Sequence, residues 1–162
     1  MKIGHKITPC LWFDHEAEEA VNFYFSVFKD GKIASVSRYG EAGREIHGRA
    51  PGSVMAVAFE LFGQTFMALN GGPMFKFNEA ISLQVNCETQ AEIDELWEKL
   101  GAGGDPEAQQ CGWLKDKYGL SWQIVPTMMG ELFSGTDMAK QERAMAVMLE
   151  MKKLDIAALE NA

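Results

Sequence analysis

The chain has 162 residues, 47% hydrophobic and 23% charged, enough apolar surface for one compact domain or two half-domains and too much for a disordered tail. With 15 Lys and Arg against 23 Asp and Glu the net charge is −8, and no basic cluster offsets it, which argues against nucleic-acid partners. There is no apolar run of the ~18 residues a membrane span needs, no leader-like stretch in Met1 to Lys6, and no compact cysteine cluster among Cys10, Cys87 and Cys111, so the expectation is a cytoplasmic globular protein without a membrane partner.

Lys6 to Phe13 is short and apolar enough for a strand, and Pro9, lacking a backbone N–H, assigns it to a sheet edge or an unpaired position. Asp14 stands where a helix N-cap belongs, with Glu16, Glu18 and Glu19 at the positive end of that helix. Ala17, Ala20, Val21, Tyr24, Phe25 and Phe28 recur at helical spacing and predict its buried face. Lys29 and Gly31 close it. Ile33 to Tyr39 reads as a strand, and Gly40 to Gly52 as an exposed loop. Val54 to Leu61 and Gln64 to Leu69 are two more strands, joined by a hairpin at Phe62-Gly63. The turn Asn70-Gly71-Gly72-Pro73 completes a β-α-β-β-β unit.

The same order then restarts, with the two opening strands roughly 70 residues apart. Ala80 to Cys87 alternates, with Ile81, Leu83, Val85 and Cys87 on one side and Ala80, Ser82, Gln84 and Asn86 on the other. Thr89-Gln90-Ala91-Glu92 is a capping box, in which Glu92 reaches back toward the cap. Ile93, Leu96, Trp97 and Leu100 form a helical stripe that Gly101, Gly103 and Gly104 terminate. Trp113 to Lys115 and Leu120 to Val125 supply the closing strands, with Pro126 as the stop. The second strand of this copy has the weakest pattern. Beyond it, Thr136 or Asp137 caps a final helix in which Val147, Met151, Leu154 and Ala158 share a face with Ala144 and Met148. The expected organisation is a first module over 1–75, a second over 76–128 and a helical extension over 129–162, together one compact domain.

Several runs carry a family resemblance. Phe59-Glu60-Leu61, Met67 through Pro73 and Phe75 through Leu83 are similar to the PhnB-like branch of the vicinal oxygen chelate superfamily, the glyoxalase, bleomycin resistance and dioxygenase fold. So are Cys111 through Gly119, Ser121 through Pro126 and the closing Lys152 through Leu159. The resemblance implies an α+β fold of tandem βαβββ modules, each curled into a half-barrel, with a cavity between them. Chemistry varies widely on that scaffold.

Metal-dependent relatives take ligands from the first and last strands of each module, which matches Pro9, Ala68, Ala80 and Gln123 here. Proline and alanine have no donor, a lone amide is a poor anchor, and His5, His15 and His47 fall outside these strands as surface residues, so no metal is expected. The branch also carries an old label as a demethylubiquinone methyltransferase-type domain, which implies S-adenosylmethionine. The chain lacks the strand–glycine turn–helix arrangement that such a cofactor uses, since Gly71-Gly72 and Gly101 to Gly104 sit at a hairpin exit and a helix end. No cofactor is expected.

The strand pattern assigns Leu11, Phe13, Phe66, Asn70, Ser82, Gln84, Asn86, Ser121 and Gln123 to the ligand cavity, with Gln123, Asn70 and Gln84 as its polar anchors. The alternative for the Gln123 amide is satisfaction by ordered water or by the neighbouring Ser82. Glu79 is the best carboxylate and Cys111 the best thiol for any catalysis, and Cys10 and Cys87 alternate toward the helix side. Three functions compete: a small-molecule binder, an enzyme acting on a small organic substrate with or without a metal, and an interaction module built on the methionine-rich helix. The apolar stripe of that helix, and the superfamily's habit of pairing modules between subunits, point to a homodimer.

Overall fold

These patterns produce an α+β protein of two compact units, Met1–Lys76 and Phe77–Ala162, in a computed structural model that describes residues 5–162. The Met1 to Gly4 part of the leader reading lies outside the described residues.

The first unit runs β1 (Cys10–Phe13), α1 (Ala17–Phe28), β2 (Lys32–Arg38), α2 (Arg44–His47), β3 (Val54–Leu61) and β4 (Gln64–Asn70). Its sheet has the order β1-β4-β3-β2, with β1 parallel to β4 and the other pairs antiparallel. Pro9 predicts an edge position, and β1 takes it, although the strand begins at Cys10 rather than Lys6. Pro9 still contributes its carbonyl, which accepts from the Met67 N–H at 2.9 Å. The β3–β4 hairpin turns at Phe62 and Gly63, whose φ angles of 47° and 78° are the pair a two-residue hairpin turn demands. Asp30 steadies the strained Phe62 by accepting its N–H at 2.7 Å.

Two local expectations are corrected here. The loop at 40–52 contains the one-turn helix α2. Asp14 does not cap α1; it pairs with Arg49, whose Nη2 donates to both the Asp14 carbonyl and its carboxylate, at 2.6 and 3.0 Å. The N-terminus of α1 is capped from another element, because Asn70 Oδ1 accepts the Ala17 N–H at 2.8 Å across 53 residues. At the other end Lys29 itself adopts the left-handed conformation, with φ of 53°. Ala17, Ala20, Val21, Tyr24 and Val27 are the buried face, while Phe25 and Phe28 are only half-buried.

The second unit comprises β5 (Ser82–Cys87), α3 (Gln90–Gly101), β6 (Trp113–Lys115), β7 (Ser121–Pro126), α4 (Met129–Ser134), α5 (Met138–Leu149) and α6 (Ile156–Glu160). Its sheet has three strands in the order β5-β7-β6. The second strand of the repeat does not form among the described residues; a short 3-10 turn, Pro106–Ala108, occupies that part of the chain. The strand β5 starts at Ser82, two residues later than Ala80, and leaves Ile81 exposed. The capping box forms, with the Glu92 N–H donating to Thr89 Oγ1 at 3.2 Å, and the Glu92 carboxylate accepts from the Glu88 N–H, one residue before the cap. Ile93, Leu96 and Leu100 are the buried face of α3, and Trp97 is half-buried.

The predicted single terminal helix is divided into α5 and α6, and the short α4 lies ahead of its cap. Asp137 caps α5 by accepting from the Lys140 N–H, as expected, but α5 stops at Leu149. The next residues are claimed by tertiary hydrogen bonds: the Cys111 and Gly112 N–H groups donate to the Met151 and Lys152 carbonyls at 2.8 and 2.7 Å. Gly112 permits this approach, since a Cβ there would press on Leu154 and on the Ile124 carbonyl. Gln90 holds the far side, donating to the Leu154 carbonyl at 3.0 Å and accepting from the Ile156 N–H at 2.9 Å. Leu154 is therefore buried in an irregular strap and not on a helix stripe; Val147, Met148, Met151 and Ala158 are half-buried.

Candidate functional site

In each unit a helix packs against one face of the sheet, α1 on the first sheet and α3 on the second. In the first unit the register places Leu11 beside Ala68, Phe13 beside Asn70, Val57 beside Ala68 and Phe59 beside Phe66. Phe25 of α1 packs edge-on against Phe59, and Asn70 caps α1, so this face lies under the helix. The expectation that Leu11, Phe13, Phe66 and Asn70 line a cavity is overturned by this packing: all four are buried core residues on the α1 side. Both ends of the Asn70 amide are engaged in the core, Oδ1 with the Ala17 N–H and Nδ2 with the Val54 carbonyl at 3.0 Å, which makes it a structural clamp between α1 and β3. The opposite face carries Cys10, Trp12, Ala56, Ala58, Met67 and Leu69. Cys10 is exposed on this face, which corrects the expectation that it alternates toward the helix side.

In the second unit the assignment by alternation agrees with the register. Leu83, Val85, Cys87, Leu114, Trp122 and Ile124 share the α3 side, and Cys87, Leu114, Trp122 and Ile124 are buried. Trp122 Nε1 donates to the buried Asp116 at 2.9 Å; Asp116 also accepts the Tyr118 and Leu120 N–H groups and so shapes the turn before β7. Burial, with Glu92 nearby, pushes the Cys87 thiol up to about 12, which makes it an inert core residue.

The face opposite α3 is polar. Ser82, Gln84 and Asn86 of β5 stand beside Ser121, Gln123 and Val125 of β7, and Trp113 and Lys115 of β6 complete it. Gln123 Nε2 donates to Ser82 Oγ at 2.8 Å, the alternative foreseen for this amide. Gln84 Nε2 donates to Asn86 Oδ1 at 2.8 Å on the exposed margin. Ser121 is 1% exposed, and its hydroxyl has no hydrogen-bond partner among the described residues. Such an orphan costs about 1–3 kcal/mol, so its retention on this face calls for a partner.

Lys115 and Trp113 belong to this face and were not predicted for it. The three-residue strand was too short to show a period, but the core position of Leu114 would have assigned both neighbours to the opposite side. Lys115 is ion-paired with Glu79. The hydrogen bond and charge of Lys115 hold the Glu79 carboxyl below its ordinary range. Glu79 is thus ionised at neutral pH, with no proton to donate and little basicity, a poor general acid or base. Cys111 lies against the strap, its Sγ 3.5 Å from the Met148 carbonyl and 3.5 Å from Gln110 Nε2, and none of its hydrogen bonds among the described residues is to a histidine. The histidines lie elsewhere: His5 and His15 are exposed, and His47 is half-buried against the Tyr39 ring, at 4.5 Å between centroids.

The donor set does not fit a divalent metal. Pro9 and Ala80 precede their strands, Ala68 is buried beneath α1, and the Gln123 amide is tied to Ser82. Among the described residues no group of three His, Cys, Asp or Glu side chains is arranged to hold one. S-adenosylmethionine fits no better. Gly71 is pressed against the Trp12 ring, the Gly72 carbonyl accepts from Trp12 Nε1 at 2.8 Å, and no helix opens after either glycine. Among the described residues no helix is long and apolar enough to cross a membrane.

Comparison with known proteins agrees with this architecture. The family model for 3-demethylubiquinone-9 3-methyltransferase matches residues 5–125. The PhnB protein from Bacillus cereus, described under the same name, is 41% identical over 76% of this chain and 100% of its own, with a TM-score of 0.63. Protein PA1353 from Pseudomonas aeruginosa is 20% identical over 76% of this chain and 98% of its own, at a TM-score of 0.58. The fosfomycin resistance protein FosX from Listeria monocytogenes shares the fold at 14% identity, covering 80% of this chain and 98% of its own, with a TM-score of 0.55. No curated protein matches the chain. The chain belongs to the 3-demethylubiquinone-9 3-methyltransferase family, with the PhnB protein among its relatives.

Proposed function

We propose that the protein binds a small organic molecule against the polar face of its β5-β7-β6 sheet, and does so without a catalytic metal. The observation that carries this reading is the buried, unpartnered Ser121 hydroxyl beside the Ser82–Gln123 pair on the sheet face that α3 leaves uncovered. A face used only for packing would be cheaper with apolar residues at these positions, because each buried polar group must recover the hydrogen bonds it loses from water. Hydroxyls and amides orient a ligand without titrating near neutral pH, which suits binding more than acid–base turnover. Methyl transfer, the reaction in the family's name, has no support in the glycine geometry of this chain.

We propose further that the protein is a homodimer. Met138, Met145 and Leu149 of α5 are exposed on a helix whose buried residue is Ala144, and such apolar area is suited to a second copy. Native mass spectrometry of protein purified from its own host tests the binding reading. Its expected result is a retained organic mass that is released by Gln123→Leu, and a spectrum of bare chain alone would count against it.

A further inference from the structure

We propose that the ligand is a small aromatic monocarboxylate, which displaces Glu79 from Lys115, accepts hydrogen bonds from Ser121 and Ser82, and lays its ring along Trp113. This rests on the ligand-binding reading above and names the chemical class it takes. The strand register supplies the geometry. Lys115 is paired with Ser121 across β6 and β7, and Ser121 with Ser82 across β7 and β5, so one row across the sheet holds a cation and two hydroxyls. Trp113, Gln123 and Gln84 form the next row on the same face. Like-facing residues along a strand are about 7 Å apart, roughly the length from a carboxylate to the far edge of an attached benzene ring.

The hydrogen bonds are available. The Ser121 hydroxyl has no partner among the described residues, and Ser82 Oγ accepts from Gln123, which leaves the Ser82 hydrogen free to donate. The charges decide between anions. The Lys115 side chain is 22% exposed and needs a counter-ion, whereas the Glu79 side chain that supplies one is 63% exposed and lies on the turn before β5. Returning Glu79 to water costs little, and leaving Lys115 unpaired would cost much more. One carboxylate therefore exchanges for another at nearly constant charge, and the incoming one gains two hydroxyl donors and a ring contact. A dianion would add an uncompensated negative charge to a chain of net charge −8.

The test is titration of the full-length 15N-labelled protein with benzoate and with benzamide, its neutral isostere, read at the Ser82 and Ser121 amides and the Trp113 indole. Benzoate should give saturable shifts at these groups. Lys115→Met should weaken it by about tenfold or more, the scale of one charge-assisted hydrogen bond. Glu79→Gln should tighten it by removing the competing carboxylate. Benzamide binding as tightly as benzoate, or Glu79→Gln weakening benzoate, overturns the carboxylate proposal and leaves the ligand-binding reading standing. If neither compound nor a set of neutral aromatic fragments shifts these resonances, both fall.

Discussion

Asn70 is the residue whose role changes most between strand pattern and packed structure, and its replacement has a calculable cost. Its buried amide accepts the Ala17 N–H at the start of α1 and donates to the Val54 carbonyl on β3, while its own carbonyl accepts from Tyr39 Oη at 2.6 Å. In Asn70→Ala the loss of a helix N-cap costs about 1 kcal/mol. The half-buried Val54 carbonyl loses its donor, which costs about 1–2 kcal/mol more. The expected destabilisation is therefore about 2–3 kcal/mol, read as a shift of the urea midpoint at unchanged slope. Asn70→Asp separates the two contributions, since a carboxylate still accepts from Ala17 and favours the positive helix end by ~0.3–1 kcal/mol. It should lose only the Val54 bond and fall between wild type and Asn70→Ala. Amide hydrogen exchange at Ala17 should quicken in Asn70→Ala and not in Asn70→Asp. An Asn70→Ala protein within about 0.5 kcal/mol of wild type, with Ala17 exchange unchanged, would refute the structural role and reopen Asn70 as a ligand group.

Asp116→Asn keeps the two backbone bonds but turns an N–H toward Trp122 Nε1, so urea unfolding should show a loss of about 1–3 kcal/mol with the fold intact. Cys87, with its thiol raised to about 12 in the folded chain from an ordinary 9.0, retains its proton longer when folded than when unfolded. Its contribution to stability is complete below pH 9.0 and declines as pH rises toward 12, and a thiol reagent should reach it only in denaturant, with Cys10 labelled in the native state. Ser121→Ala should leave thermal stability equal or higher, since it removes an unpartnered hydroxyl, and weaken benzoate by about tenfold, measured by calorimetry. Light scattering at micromolar concentration should return twice the 18.0 kDa of the chain, and a Met145→Glu variant should return one.

Where polar and apolar residues alternate, the linear pattern alone determined both the element and the face it buries. Ser82, Gln84 and Asn86 alternate with Leu83, Val85 and Cys87, and the three-dimensional register agrees residue by residue. The hairpin at Phe62-Gly63, the Thr89–Glu92 capping box and the Asp137 cap are likewise local, because each hydrogen bond or backbone angle involves residues within a few positions of one another. The first unit offered no such contrast. Cys10, Leu11, Trp12 and Phe13 are all apolar, as are most residues of β3 and β4, so a period of two distinguishes no inside from outside. Only the position of α1 decided that Leu11, Phe13 and Phe66 are core and that Trp12 and Met67 are not. The same holds for the break after Leu149: a helical stripe continues past it in sequence, but Cys111, Gly112 and Gln90 offer hydrogen bonds to residues 151–156 that an unbroken helix would forgo. Pairing of Ser121 with Ser82 and Lys115, and the orphaned hydroxyl between them, is also a tertiary fact, since it depends on the register of three strands separated by a helix and a turn.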